Sequence, residues 1–440
     1  MSTKMFDKVE QLLQRYLMPL ANKIQSQRHI QAVRDGMVSL MPVLIVGCLS
    51  LLISAIPNLI PNGMLVGFEE LIKNNAGVIM FPFKLTIGLL SLFSAFSIAY
   101  HLGKRYDLYP LGTATSALIV QLLVCAKYVD GKIIPTYLDA KGIFASIIIG
   151  LLTVEVAKFL DNHAITFNLP DSVPPSILKT FQSIIPLFVN VVLFYSISLM
   201  IKAATGVIFP ELLMNTLAPA INSLDSPLAF VVLILITQLL WFVGLHGYAI
   251  TSSIFLPLGT QYLAANAAAQ AAGEPLTYVF THGFYVYFLL AGGSGLTGGL
   301  AALMLFSDSD HLKQVGKLGI VPAIFNVNEP IIFGLPIVLN PIMFIPFVLG
   351  PTIVGLISYL VIDFGFVAKP FIDPPLFLPA PLGAFMTNMD WRSVILCVFN
   401  LVLSTVIYYP FFKMMEKKEV KKERKVKEEK AEAAGGTVTS

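Results

Sequence analysis

The chain has 440 residues, of which 56% are hydrophobic and only 12% charged, and its net charge is +3. With a mean hydropathy of +0.78, this leaves too little charge to cover a soluble globule of that length. The small positive excess carries no message about nucleic acid. Many apolar runs are continuous over roughly 20 residues rather than alternating, which excludes a transmembrane barrel and predicts an all-α, polytopic membrane protein.

Residues 1–35 are polar and roughly amphipathic, with Arg15, Lys23, Arg28 and Arg34 ahead of the first apolar run. That is not a secretory signal; it reads as a cytoplasmic helix on or near the membrane surface. Charge-poor runs predict spans over 36–58, 78–101, 110–127, 142–160, 183–208, 227–249, 251–271, 284–306, 341–362 and 392–412. The seventh is the weakest, since 261–272 is mostly alanine and polar residues. From Lys413 the chain turns Lys/Glu-rich and ends in Ala-Gly-Gly-Thr-Val-Thr-Ser, which predicts a solvated cytoplasmic tail, frayed helix and then disordered coil. Four parts result: the segment 1–35, a first transmembrane half 36–208, a second half 209–412, and the tail 413–440.

Lysine and arginine placement sets the orientation. The flank before span one, Lys104-Arg105, the Lys158 to Lys179 loop, the 307–319 loop with Lys313 and Lys317, and the tail all fall inside if there are ten spans. Both termini are then cytoplasmic. Nine spans fail this check.

Two stretches are apolar but unsuited to smooth spanning. Residues 320–340 are interrupted by Pro322, Pro330 and Pro336, and residues 370–386 hold Pro370, Pro374, Pro375, Pro379 and Pro381. Proline removes a donor and clashes one turn back, and broken backbone survives at membrane depth only when packed in protein or lining a wet cavity. Both are expected as re-entrant hairpins, the kind of segment from which transporters build binding sites.

Glu329, in Asn326-Val327-Asn328-Glu329-Pro330, is the most informative residue. A carboxylate in an apolar segment is costly unless paired or hydrated, so it marks function before structure, and it suits a group that takes a proton from a hydroxyl. The bland alternative is a hairpin cap at the membrane edge. Asn326 and Asn328 offer amides that can read sugar hydroxyls. His246 closes span six between Gly244 and Gly247, and Trp241 lies five residues earlier, able to stack on a sugar ring or to anchor at the interface. Lys84 and His101 can snorkel, and Glu155 is as well read as a pairing group. His29, His163, His282 and His311 lie in or beside loops and receive no role. The glycine run 292–299 lacks the strand and lysine of a phosphate loop and reads as close helix packing. Cys48, Cys125 and Cys397 share no short spacing and read as buried apolar residues. No cofactor or metal is expected, since no triad, zinc spacing or dinucleotide fingerprint occurs.

Asn326–Pro330 followed by Phe333-Gly334-Leu335-Pro336 and Asn340-Pro341, the Gly244–Gly247 block, and Leu169-Pro170-Asp171-Ser172-Val173-Pro174-Pro175 leading to Phe181 and Pro186 occur in one order. In these the chain resembles the IIC permease of the bacterial phosphoenolpyruvate-dependent sugar phosphotransferase system, in its lactose/cellobiose/diacetylchitobiose branch, over about residues 5–415. The resemblance implies a homodimer of ten-helix protomers, with the first half forming the dimer contact and the second half the sugar site. It implies that a disaccharide is occluded against Glu329 and His246 and carried inward by a rigid-body movement. A phosphocysteine on a separate IIB protein, docked near the 158–182 and 307–319 loops, then phosphorylates the 6-hydroxyl. Glu329 matches the signature acid, His246 the signature histidine, and Trp241, more loosely, an aromatic near the site. One departure is Phe371, where many relatives carry Trp; it keeps a stacking face without the indole donor, which leaves the sugar open. An ion-coupled secondary sugar transporter also wants a buried carboxylate and broken helices, although few acidic partners are present for a proton relay. A lipid-linked glycosyl transferase would need an acidic metal pair or a large soluble domain.

Overall fold

The computed structural model describes residues 26–55, 66–167, 174–335, 337–376 and 378–435, with a few isolated positions before residue 26. Most of the N-terminal segment, the Leu169–Val173 block, Pro336 and the last five residues lie outside the described residues. The described residues are helical almost throughout. The one sheet among the described residues is a hairpin, β1 (Lys127–Val129) antiparallel to β2 (Lys132–Ile134), with Tyr128 opposite Ile133.

The first half comprises α1 (Arg28–Val38), α2 (Met41–Ala55), α3 (Leu90–Arg105), α4 (Pro110–Cys125), α5 (Ile143–Asn162) and α6 (Ile184–Thr205). The second comprises α7 (Phe209–Leu224), α8 (Pro227–Phe242), α9 (Gly247–Ala272), α10 (Gly298–Leu305), α11 (Asp310–Ile324), α12 (Glu329–Gly334), α13 (Gly350–Asp363), α14 (Ala380–Asn388) and α15 (Arg392–Gly435). Among the described residues, six helical stretches are long and apolar enough to cross a membrane: 28–51, 76–105, 140–162, 178–205, 341–363 and 392–429. A seventh follows if α7 and α8, which meet at 72°, form one span. The other three expected stretches fall short for separate reasons. α4 is too short, and 284–306 is split by a glycine turn between a π-helical turn at Tyr285–Leu289 and α10. α9 is long but alanine-rich, and its small residues pay no penalty because Ala264 and Ala267 are fully buried inside the bundle.

The expected boundary at residue 35 is not a structural one. α1 runs through it and buries Ala32, Val33, Gly36 and Met37. Its charges are paired: Asp35 accepts from Arg34 and from Arg105, which ties α1 to the end of α3. Glu155 is the pairing group the sequence allowed for, accepting from Tyr106 at 2.6 Å and lying 2.6 Å from His29. The largest apolar cluster joins the halves, with Met37, Leu44 and Cys48 packed in the same core as Phe255, Phe284 and Phe371. Burial among apolar side chains holds the Cys48, Cys125 and Cys397 thiols as free cysteines.

The tail departs most from its expectation. α15 continues past the apolar run as far as Gly435. Side chains along it bind the Ser307–His311 turn: Glu416 accepts from the Ser307 hydroxyl and the Asp308 amide, at 2.8 and 2.9 Å. Glu423 accepts from the Ser309 hydroxyl and the Asp310 and His311 amides, at 2.7, 3.2 and 3.0 Å. These amides open α11, where a carboxylate is favoured by otherwise unpaired donors and by the helix dipole. Composition alone treats the tail as solvated; tertiary contact gives its carboxylates partners.

Hydrogen exchange of the 413–429 amides in detergent at pH 7 is therefore expected to be slow in the parent and several-fold faster in Glu423→Ala. Equal exchange in the variant and the parent would mean these contacts do not order the tail.

Candidate functional site

The site forms where three helix breaks meet. α8 ends at Phe242, Gly244 turns the chain with φ +84°, and α9 starts at Gly247. His246 is the N-cap of α9, and its Nδ1 accepts from the Ala249 amide at 3.1 Å. A ring nitrogen that accepts carries no proton, so the neutral ring is assigned its proton on Nε2. Nε2 faces Glu329 Oε1 at 4.0 Å, and both side chains are about half exposed.

That separation is too long for a direct hydrogen bond. A hydroxyl oxygen about 2.8 Å from each atom fits between them, accepting from His246 and donating to Glu329. Glu329 Oε2 and the indole Nε1 of Trp241 are shielded from solvent and have no hydrogen-bond partner among the described residues. The Trp241 and His246 rings lie 4.3 Å apart between centroids, tilted by 43°. Gln238, whose Nε2 donates to Ser294 at 3.4 Å, has its Oε1 likewise unpaired. Shielded donors and acceptors without partners are costly; those of Glu329 and Trp241 belong to residues that line one cavity, and Gln238 bonds to Ser294 of the same wall.

The second break is the glycine run. It packs closely, as expected, but as a turn rather than a helix: Gly292, Gly293 and Gly295 all have positive φ. A Cβ on Gly293 would stand 2.3 Å from the Asn328 side chain, and one on Gly295 would stand 2.6 Å from Phe347. Only glycine allows this approach at these angles. The third break precedes α12, where Asn326 sits at φ +63° and Pro330 occupies the first turn, as suits a helix start.

Asn328 is buried, and its amide donates to the Ser294 carbonyl and the Thr297 hydroxyl, both at 2.6 Å. Asn326 accepts from the Gly292 amide at 3.2 Å and donates to the Leu378 carbonyl at 3.1 Å. Both amides therefore tie the breaks together, while their residues also line the cavity. All five residues singled out from the sequence, Trp241, His246, Asn326, Asn328 and Glu329, share the wall of this cavity of about 310 Å³. That volume lies within the range of small-molecule sites.

Sequence reasoning missed Tyr248, Ser294, Phe325 and Leu376, which also line the wall. Behind Tyr248 it also missed His282 and Asp373, a buried pair 3.0 Å apart. The signal that singled out Glu329, a carboxylate in a proline-broken apolar run, was equally present at Asp373. Phe371 is buried in the main core and does not line the cavity.

A family model described as "Phosphotransferase system, EIIC" matches residues 34–351. The chain is 33% identical to the lichenan permease IIC component of Bacillus subtilis (strain 168), over 95% of this chain and 96% of that protein. It is 32% identical to the cellobiose-specific EIIC component of Geobacillus stearothermophilus, over 95% and 96%. Among solved structures it matches the transporter ChbC, the IIC component from the N,N'-diacetylchitobiose-specific phosphotransferase system. That match has a TM-score of 0.87 and 30% identity, covering 94% of this chain and 99% of that one.

The two jobs of His246 can be separated. His246→Ala removes both the cap and Nε2, and is expected to destabilise the protein by about 1 kcal/mol. His246→Asn keeps a capping acceptor and is expected to recover most of that stability, as read by thermal unfolding in detergent. Equal midpoints for Ala and Asn would show that the cap contributes nothing.

Proposed function

The chain belongs to the phosphotransferase system EIIC family, and from that premise we propose that its cavity takes a β-linked disaccharide and presents one hydroxyl to a separate phosphorylated IIB protein. As a family member it is a multi-pass sugar permease of the plasma membrane. Relatives over nearly its whole length are permeases of cellobiose, lichenan and oligo-β-mannoside systems, which favours a disaccharide of the cellobiose, diacetylchitobiose or lactose type. The ion-coupled transporter weighed from the sequence gives way to this reading.

The observation that carries the proposal is the open 4.0 Å gap between His246 Nε2 and Glu329 Oε1, beside the unpaired Trp241 indole. A sugar hydroxyl in that gap is oriented by His246 and gives its proton to Glu329. The hydroxyl oxygen then attacks phosphorus on the IIB cysteine. An O–P bond forms, the S–P bond breaks, and the thiolate leaves. Asn326 and Asn328 set the loop that carries Glu329, and Trp241 offers a ring face and one donor to the sugar.

The same proposal places both termini in the cytoplasm. The lysine-bearing tail and the loop holding Lys313 and Lys317 are joined by the Glu416 and Glu423 contacts, so they share one side. It also pairs two chains through the first half. In its 178–205 stretch only 11% of the most apolar window is buried, and Phe188 and Met200 are 67% and 70% exposed. The second half supplies the sugar site, since the cavity wall runs from Trp241 to Leu376.

The test uses purified protein in liposomes with labelled β-linked disaccharides, with and without phosphorylated IIB. Sugar is expected to equilibrate alone and to appear as sugar phosphate only with the donor. Accumulation of unmodified sugar along an ion gradient would overturn the proposal. Glu329→Gln is expected to bind sugar within a few-fold of the parent while phosphorylation falls by about two orders of magnitude or more. Phosphorylation at the parental rate would remove the base role.

A further inference from the structure

One buried titratable cluster has no part in this chemistry. His282 is 2% exposed and Asp373 5% exposed. His282 Nδ1 lies 3.0 and 3.1 Å from the two Asp373 oxygens, and Nε2 lies 3.1 Å from the Tyr248 hydroxyl. A carboxylate only accepts, so Nδ1 is assigned the proton, and the neutral ring accepts the Tyr248 hydroxyl at Nε2. Asp373, His282 and Tyr248 thus form a directional chain, and its last member forms part of the cavity wall.

One end of the chain lines the cavity and the other lies three residues from its wall. Tyr248 stands two residues after His246, in the first turn of the helix that His246 caps. Asp373 lies in the non-helical stretch before α14, and Leu376, three residues on, lines the same cavity. The ring of Tyr248 packs against Tyr285 and Phe255, each at 5.7 Å between centroids. The hydroxyl, bonded to His282, is the polar point at which the ring is held.

A buried carboxylate is weak support for stability, because its desolvation offsets most of what its partner contributes. An intramembrane histidine and carboxylate are functional by default. We propose that His282 is a positioning residue for sugar: through Tyr248 it sets one wall of the cavity, and through Asp373 it ties the proline-rich stretch to that wall. His282 itself does not touch the sugar. The inference rests on the sugar-site reading above.

The test is calorimetric sugar binding in detergent, using whichever disaccharide the liposome panel selects. It compares the parent with Tyr248→Phe, His282→Gln, Asp373→Asn and the Tyr248→Phe/His282→Gln double variant. Tyr248→Phe keeps the ring and removes only the oxygen, so it isolates the relay even if a His282 variant fails to fold. Each single variant is expected to bind roughly three- to tenfold more weakly. The double variant is expected to bind no more weakly than the weaker single one, because residues acting through one another are not additive. Parental affinity in Tyr248→Phe, or effects that multiply in the double variant, would overturn the inference and leave the sugar site standing. A parent that binds no sugar on the panel overturns the sugar-site reading, and the inference with it.

Discussion

Unwound backbone inside a membrane protein must find its hydrogen bonds within the protein, and this requirement organises the second half of the chain. The partners are a small set of buried amides and carboxylates. Asn266 accepts from the amides of Thr277 and Tyr278 and donates to the carbonyls of Tyr278 and Pro370. Asp225, at the bend between α7 and α8, accepts from the amides of Val279 and Phe280. Asn388 donates to the Ala368 carbonyl and accepts from the Asp390 amide and the Ser393 hydroxyl. Asn400 donates to the carbonyl of Phe288, within the π-helical turn. Each of these four non-helical or π-helical stretches is thus bonded by a side chain from a regular helix or helix bend.

The groups of the candidate site sit inside this framework. Asn326 and Asn328 satisfy the glycine turn and the proline-rich stretch, and in doing so they hold the loop on which Glu329 stands. His246 divides its two nitrogens between framework and site, one capping α9 and the other facing Glu329. Preorganisation of this kind lets a polar site exist in an apolar bundle, because its groups are fixed before ligand arrives.

The halves are not independent bodies with a shared edge. Arg34 of α1 donates to the Ala249 carbonyl at 3.4 Å, one turn from His246. The main apolar cluster runs across both halves. The scaffold therefore touches the helix start that carries the site histidine, and any inward movement of the second half must slide along or break that contact. Sliding past small, fully buried residues such as Ala264 and Ala267 needs little side-chain rearrangement.

The all-α membrane class was legible in composition and run length, because the thickness of a bilayer sets both. Glu329, His246 and Trp241 were legible because charge and aromatic edges are conspicuous in apolar sequence. The proline-broken stretches were legible because proline acts locally. Four features were decided only by tertiary structure. The glycine run proved to be a turn, because its angles depend on Asn328 and Phe347 arriving from elsewhere. The tail, expected as frayed helix and solvated coil, has partners because Glu416 and Glu423 meet the start of α11. α9 is interior because other helices cover its alanines. The Asp373–His282–Tyr248 chain joins residues 125 positions apart or fewer, which no local pattern brings together. What depends on the neighbours along the chain can be read from residues in order; what depends on partners across the fold cannot, because a side chain's role is set by the groups that satisfy it.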